Sequence, residues 1–571
     1  MSRVLLVTQS ARSIGEFRRP WVRALFRRYV ARFRRELAAA LRELSRSAEV
    51  TLLTSRELID PATLPAGVHV RYFEDESYRV DSEEVGRLTR HLTVAWWPDR
   101  AQEPDLRYRG VWLPDVVSIG RAIVLRLEIA EPLAAIEKVC DDATPARIVL
   151  LCGASIPERL ARRVAERRGV PVSVAAPGFF WARLYAWAYE ALFPREERLR
   201  VRGFLEHPRG APAPRRTRSG ERLLFVTCRP RHHYLVDPLV TALGRAGVEA
   251  HVVAAPNPEP ELASRLRALA DAGVPTGTLV DHLPRAEAVA LVKRYRPLFR
   301  RVWRRIDRDP GVAARLAWNG VELAGVVRPF LRDSVEKSLV AAVLFQEAAF
   351  RAVEAIGPSA VVVTSNRRHA ERAVAQVARA RGIPCVLFSG VLLFSRDSSH
   401  LFDIGDRLVV IGDYLRDRLI EAGLVDPRRI SAVGDPRSNT ARLVPPAQLR
   451  TEVVRDFGLA PDRPLLVLVS KYLSLAFSAT EKEAFYRTVA GAAALLGGPN
   501  IVVKVHPNED EALLRRQARD WGWPGTVFTK TYDIHRLFGA ADAAIMVTSM
   551  AGIEAMALGC PVVAVQTPGK D

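Results

Sequence analysis

Cysteine is sparse, with five in 571 residues. Cys140, Cys152, Cys228, Cys385 and Cys560 make no C-x-x-C pair, and no histidine cluster stands at zinc spacing. This excludes a disulfide framework and leaves buried thiols as the expectation. Long apolar runs are missing too. The uninterrupted stretches are as short as residues 339–345, whereas a membrane span takes about 20 residues. The chain opens on a strand-like run at 4–7, not on a basic segment followed by an apolar core of roughly 7–15 residues. No signal peptide or transmembrane helix is read, and a cytoplasmic protein is expected. No D-x-D element follows a strand, so no obligatory metal is expected; basic side chains and helix dipoles would stabilise a leaving phosphate instead. No RNP, KH, zinc-finger or helix-turn-helix signature accompanies the positive charge, so nucleic acid is not an expected partner.

What is present is a globular composition, 49% apolar and 26% charged. The chain is too long for one core, and several domains are expected. The formal net charge is +20, carried almost entirely by arginine. Basic residues cluster at 18–35 and 293–305 with apolar and aromatic residues between them. Two readings remain open. Such segments could lie on an anionic membrane surface, giving peripheral contact at the inner face of the cell membrane. They could equally be solvated faces of ordinary core helices.

Strand-like runs alternate with helical patterns almost throughout: 4–7 then 50–53, 148–151 then 170–174, 223–227 then 250–254, 361–364 then 385–388, 465–469 then 501–505. Such alternation predicts parallel sheets covered by helices on both faces. A Pro-rich basic stretch at 207–214 reads as a linker, and Pro445–Pro446 marks a second break. The expected domains are an N-terminal α/β lobe (1–210), a second Rossmann-like lobe on the acceptor side (220–440) with a helical insertion at about 283–356, and a donor-binding Rossmann-like lobe (445–571). A doubly wound lobe normally continues past a strand such as the last one here, so the chain is expected to be cut short at Asp571.

The first two lobes resemble one another. ERLARRVAERRGVP at 158–171 matches ERAVAQVARARGIP at 371–384, Arg109–Gly110–Val111 parallels Asn319–Gly320–Val321, and RVLLVT at 3–8 parallels RLLFVT at 222–227. Matches in one order at a near-constant offset of roughly 210–220 residues suggest a duplicated lobe. Any two βαβ units with such a turn also look somewhat alike.

The densest chemistry lies in the last lobe. The strand 501–505 runs into His506–Pro507–Asn508–Glu509, and the strand 544–547 into Thr548–Ser549–Met550–Ala551–Gly552 and a helix bearing Glu554. In an open α/β sheet, ligands sit beyond the carboxyl ends of the strands. Thr548, Ser549 and Gly552 would let a phosphate approach the backbone, Glu554 could accept ribose hydroxyls, and Lys504 and His506 could neutralise a phosphate leaving group. Ser470 and Lys471 end the lobe's first strand and could touch donor phosphate. The structural alternative makes Ser549 a helix cap and Glu554 a dipole partner.

These motifs, with Gly559–Cys560–Pro561–Val562, resemble the donor lobe of GT-B enzymes of bacterial surface polysaccharides, and are similar to capsule Kdo transferases, polysialyltransferases and CDP-glycerol polyol-phosphate transferases. The resemblance implies that His506 contacts the donor phosphate, that Thr548 and Ser549 make a second phosphate contact, and that Glu554 binds ribose. Val433–Gly434–Asp435–Pro436–Arg437–Ser438–Asn439 resembles the G-x-P-R-x-D crossing between lobes, which makes Asp435 and Arg437 inter-lobe residues, with Asn439 where Asp is usual. Ser389 stands where a related element has His.

Such a transferase needs a base for the acceptor hydroxyl. His232 and His233, with Arg229 and Arg231 after the strand 223–227, are the candidates; His369, Asp397 and His400 are weaker ones. The expected protein is therefore an α/β, GT-B-like tandem of Rossmann-type lobes. It would use no cofactor and transfer a sugar or polyol phosphate from a CMP-, CDP- or UDP-linked donor to an anionic glycan or lipid-linked acceptor. A sugar-nucleotide epimerase or hydrolase on the same fold, or a non-catalytic scaffold of degenerate lobes, are the alternatives.

Overall fold

A computed structural model of the chain describes residues 2–9, 20–59, 63–99, 103–181, 183–184, 195–206, 221–256, 259–389, 405–434, 436, 444–472, 477, 479–523 and 527–566. It is an α/β protein with parallel sheets of Rossmann type, the class the alternation of strand and helix predicts. Cα packing divides it into two compact units, Met1–Val433 and Gly434–Asp571.

The first unit holds two lobes. In chain order the first lobe contributes β1 (Ser2–Val7), β2 (Ala48–Thr54), β3 (His69–Tyr72), a hairpin of β4 (Arg107–Tyr108) and β5 (Val111–Trp112), then β6 (Arg147–Leu150) and β7 (Val172–Val174). The sheet order is β3-β2-β1-β6-β7, all parallel. The second lobe contributes β8 (Arg222–Thr227), β9 (Glu249–Ala254), β10 (Thr276–Thr278), a hairpin of β11 (Ala317–Trp318) and β12 (Val321–Glu322), then β13 (Ala360–Val363), β14 (Cys385–Ser389), β15 (Arg407–Val410) and β16 (Ile430–Ala432). Its order is β10-β9-β8-β13-β14-β15-β16.

The two lobes repeat one series of elements. Each hairpin turns through two residues of positive φ, Arg109 (47°) and Gly110 (85°) in one, Asn319 (47°) and Gly320 (79°) in the other. That is the two-residue turn whose twist matches paired strands, and it favours Gly and Asn. After the hairpin come matched helices, Pro114–Leu125 and Ala324–Asp333, each running through a five-residue π-turn (Arg126–Ala130, Ser334–Ser338) into Glu131–Ala143 and Leu339–Ile356. The helices Ile156–Arg168 and His369–Ala380 follow β6 and β13. The helical segment expected as an insertion at 283–356 is therefore not peculiar to the second lobe: the first lobe carries its own version at 82–143.

The lobes pack reciprocally. Helix His369–Ala380 lies against Pro114–Leu125 and β5, and its counterpart Ile156–Arg168 lies against Ala324–Asp333 and β12. One apolar core runs through both, from Leu5 and Ile136 to Val343, Val377 and Ile430. Burial of that area is the main force holding the unit together.

The second unit contains β17 (Leu465–Val469), β18 (Asn500–Lys504), β19 (Val527–Thr529), β20 (Ala543–Met546) and β21 (Val562–Ala564), ordered β19-β18-β17-β20-β21. All five residues of β17 are buried, because a parallel sheet is covered on both faces.

The two Arg-rich segments fall on helices Pro20–Leu44 and Arg285–Arg308. Among the described side chains, Tyr29, Phe33, Leu37 and Leu41 are buried in one, and Tyr295, Phe299, Val302 and Trp303 in the other. The described arginines between them, such as Arg32, Arg35, Arg300 and Arg304, are exposed, as on the solvated face of a core helix. Among the described residues no helix is long and apolar enough to cross a bilayer.

Candidate functional site

In each sheet the chain reverses its strand order at one place: between β1 and β6, β8 and β13, and β17 and β20. The crevice beyond the carboxyl ends of the strands at such a point is where open α/β sheets hold ligands. The three are furnished differently.

At β17/β20 the register sets Leu468 opposite Ile545, so three residues further along each strand Lys471 meets Thr548. Lys471 Nζ donates to Thr548 Oγ1 at 2.6 Å. Next to them the Tyr472 and His506 rings lie 4.5 Å apart between centroids. His506 Nδ1 accepts from the Asn508 N–H at 3.0 Å, which fixes the tautomer with the proton on Nε2, a donor suited to a phosphate oxygen. Thr548 and Ser549 are exposed, and Lys471 and His506 are half-buried. Beneath this rim, Glu509 is buried and holds the Ser470 hydroxyl and the Lys482 ammonium, while accepting from His506 N at 3.2 Å.

Five of the expected donor residues are thus drawn to one rim and differ in what they offer there. Lys471, His506 and Thr548 present polar groups at the edge. Ser549 Oγ accepts from Ala551 N at 3.2 Å, in the turn that leads into the following helix. Ser470 is turned inward to Glu509.

The remaining three do other work. Lys504 Nζ donates to the carbonyls of Lys530 and Tyr532 at 2.8 and 2.6 Å, and burial pulls its pKa below the usual lysine value. It ties β18 to the loop after β19. A Cβ on Gly552 would stand 2.9 Å from Met546 Sδ, so this glycine allows close packing of helix on strand. Glu554 is buried and meets His535 Nε2 at 3.1 Å. The helix that carries it, Ala551–Ala557, has only seven residues, so charge at this rim comes from Lys471 more than from a helix dipole.

At β8/β13 the register sets Val226 opposite Val363, which brings Thr227 beside Thr364. Thr364 Oγ1 lies 2.9 Å from His232 Nδ1 and 3.1 Å from Glu371 Oε1. The threonine hydroxyl donates to the carboxylate and accepts from the imidazole Nδ1–H, which leaves the Nε2 lone pair as a proton acceptor. His232 is 7% exposed and Glu371 fully buried. Cys228 sits against Glu371, and burial pushes its thiol well above the ordinary range. His233, the other candidate base, is fully buried with Nδ1 2.7 Å from Asp237 Oδ1. It belongs to its helix and the core, so of the two histidines only His232 fits a base.

At β1/β6 the position matching Glu371 is Glu158. This carboxylate is closed on itself: it accepts from Cys152 N (2.7 Å), Gly153 N (3.0 Å), Ser155 N (3.0 Å) and Ser155 Oγ (2.7 Å) as part of a capping box. Thr8 Oγ1 bonds Thr54 Oγ1 at 2.8 Å. The same fold position is thus a self-satisfied cap in the first lobe and a histidine-bearing cluster in the second.

Asp435 and Arg437 lie outside the described residues, as do Asp397, His400 and Asn439. His369 is buried beside Phe345 within the first unit. Sequence reasoning missed Thr364, Glu371, Tyr472, Glu509 and His535. Glu371 had a signal: it opens the repeated segment, where Glu158 stands in the other copy.

No protein-family model matches this chain, and no curated protein matches it. Among solved structures it is similar to the UDP-GlcNAc 2-epimerase of Neisseria meningitidis bound to UDP-GlcNAc, at 11% identity and TM-score 0.38 over 60% of this chain and 82% of that one. It is similar to the UDP-GlcNAc 2-epimerase of Methanocaldococcus jannaschii at 11% identity and TM-score 0.38, over 60% and 83%. It is also similar to MurG of Acinetobacter baumannii at 15% identity and TM-score 0.33, over 61% and 79%. Likenesses of this size decide neither the activity nor the substrate of this chain.

Proposed function

We propose that the protein is a transferase of GT-B type that binds a nucleotide-activated donor at the β17/β20 rim and transfers a sugar or polyol phosphate to a surface-polysaccharide or lipid-linked acceptor. One observation carries the reading: Lys471 and Thr548 meet at 2.6 Å across the switch point of the last sheet, with the Nε2–H tautomer of His506 beside them. A cation and neutral donors at that place suit a diphosphate. Lys471 would offset the charge that grows on the leaving phosphate as the bond to the transferred group breaks. His232, polarised through Thr364 by Glu371, would take the proton of the acceptor hydroxyl.

The test is a thermal-shift screen against CMP, CDP, UDP, GDP and ADP. A ligand that binds only the folded state stabilises it by about 2.7 kcal/mol at a hundredfold excess over Kd. One nucleotide should raise the melting midpoint, and Lys471→Ala and His506→Ala should abolish the rise. A well-folded chain that answers to none of the five sinks the reading. An epimerase or hydrolase would use the same His232–Thr364–Glu371 cluster as an acid–base group. Conversion of the donor without an acceptor favours that reading, and strict acceptor dependence favours transfer.

A further inference from the structure

Under the rim of the last sheet lies an ion pair that the sheet does not need in order to form. Glu509 and Lys482 are both buried, and the Lys482 ammonium, on helix Ala479–Leu495, meets Glu509 Oε1. The other oxygen, Oε2, accepts from the Ser470 hydroxyl and from His506 N at 3.2 Å. The backbone of the same residue is engaged as well. Glu509 N donates to the His506 carbonyl at 2.9 Å, and the Glu509 carbonyl accepts from Lys530 Nζ at 2.8 Å. One residue thus ties together the segments that follow three strands, since Ser470 comes directly after β17, His506 two residues beyond β18 and Lys530 directly after β19.

Neither helix start nor sheet pairing accounts for it. The helix that follows, Glu511–Asp520, is capped by Asp510, whose side chain accepts from Leu513 N at 3.0 Å. The ladder pairs β17 with β18 through all five residues of each strand before Glu509 is reached. Stability is a weak reason for such a pair, because both charges lose their hydration on burial and an apolar pair of similar volume is often as stable. What the carboxylate does, and an apolar side chain cannot, is hold the His506 N–H and the Ser470 hydroxyl at one point. Those two residues set the rim: His506 carries the Nε2–H donor, and Ser470 precedes Lys471.

We propose that Glu509, held by Lys482, is a positioning residue for the β17/β20 rim: it locks the chain ends that carry Lys471 and His506 in the arrangement a diphosphate meets. The part that concerns the diphosphate rests on the transferase reading; the lock itself does not. Such a lock acts on binding because groups already fixed in the bound geometry lose less freedom when the ligand arrives. Without it the 506–509 turn relaxes, and with it the bond from Asn508 N to His506 Nδ1 that selects the Nε2–H tautomer. Toward Ser470 and His506 the carboxylate acts as an acceptor oxygen rather than as a charge. A neutral oxygen in the same place should therefore serve, provided the lysine charge is removed with it.

Two paired substitutions in the full chain separate position from stability. Glu509→Met/Lys482→Met removes both charges and the acceptor, whereas Glu509→Gln/Lys482→Met removes both charges and keeps an acceptor oxygen. Each is titrated calorimetrically with CMP, CDP, UDP, GDP and ADP, and nitrogen NMR of the histidine rings reads the His506 tautomer without ligand. The first pair should weaken binding of whichever nucleotide the parent takes by about tenfold, the size of one buried hydrogen bond, and turn the single Nε2–H tautomer into a mixture. The second pair should stay within about threefold of the parent and keep the single tautomer. Asp542→Ala is the control. Asp542 accepts from Leu465 N at 2.7 Å at the amino end of β17, so its loss should lower the melting midpoint and move neither readout. Parent-like binding and tautomer in the first pair overturn the lock, as does a loss that Asp542→Ala reproduces or that the second pair fails to restore. If the first pair does not fold, Ser470→Ala decides, because it removes one of the two holds: a mixed tautomer supports the lock and a single one overturns it. A parent that binds no nucleotide removes the transferase reading, and the tautomer comparison then decides the lock alone.

Discussion

Glu158 and Glu371 show how one carboxylate position serves two ends. Glu158 spends its oxygens on its own loop and helix start, and Glu371 reaches Thr364, which reaches His232. Acting through another residue, Glu371 is a positioning group. Glu371→Gln should therefore leave the nucleotide thermal shift and donor KM near their normal values and lower kcat about a hundredfold, the lower end of what general-base catalysis contributes. Unchanged kcat with a depressed melting point would make it a structural carboxylate. Glu371 was legible only as the first letter of a repeated segment. Nothing in the sequence places it beside a histidine some 140 positions earlier, because that proximity is made by β8 and β13 being neighbours. Gly552 shows a different ambiguity. Small residues at a strand-to-helix turn read alike whether they admit a phosphate or a neighbouring Met546 side chain.

At the scale of elements, the contact between the lobes is more than apolar. Arg121 of helix Pro114–Leu125 is buried and donates to Asp333 at 2.8 Å and to Ser338 at 3.0 Å, both in the second lobe. Arg372 donates in return to the Asp115 carbonyl. Removing one member of a buried pair leaves the other without full compensation, a loss of about 3–5 kcal/mol. Arg121→Ala should cost an amount near the lower end, since Lys337 still faces Asp333 at 2.6 Å. Urea denaturation of the two proteins measures it, and a difference under about 1 kcal/mol, the size typical of exposed pairs, would show that the pair contributes little. The same elements explain why the helical segment reads as an insertion from sequence: its first-lobe counterpart has drifted so far in composition that only Arg109–Gly110–Val111 against Asn319–Gly320–Val321 survives to mark the match.

At the scale of the molecule, stability should fall on mild acidification. His369 is fully enclosed where the lobes meet, and its pKa is held well below 6.5, first by burial and then by the nearby cations Arg200, Arg121, Arg372 and Arg368. Burial lowers His282 as well. Each stays neutral in the folded chain while the unfolded chain takes up a proton near pH 6.5. The unfolded state binds more protons in that window, so the stabilisation is complete above about pH 6.5 and is lost as pH falls toward the folded value. Melting curves of the parent and His369→Phe between pH 7.5 and 5 should diverge, with the variant the less pH-sensitive. Parallel curves would show that His369 titrates normally.

Period and punctuation reached a long way in this chain. Apolar runs separated by helical patterns determined three parallel sheets, because a strand buried on both faces must be apolar throughout and the chain between parallel strands must cross over. Strand-end positions determined where Lys471, His506 and Thr548 would gather, because side chains that follow the carboxyl ends of parallel strands share one rim. Tertiary structure alone decided the rest. It joined the first two lobes through one core, since reciprocal packing of matched helices leaves no trace in either helix by itself. It turned Lys504, Gly552 and Glu554 toward carbonyls, a methionine and a histidine distant in sequence, and it closed Glu158 while leaving Glu371 to a histidine. Which of several equivalent polar residues is satisfied by the fold, and which is left for a ligand, depends on neighbours that only the folded chain supplies.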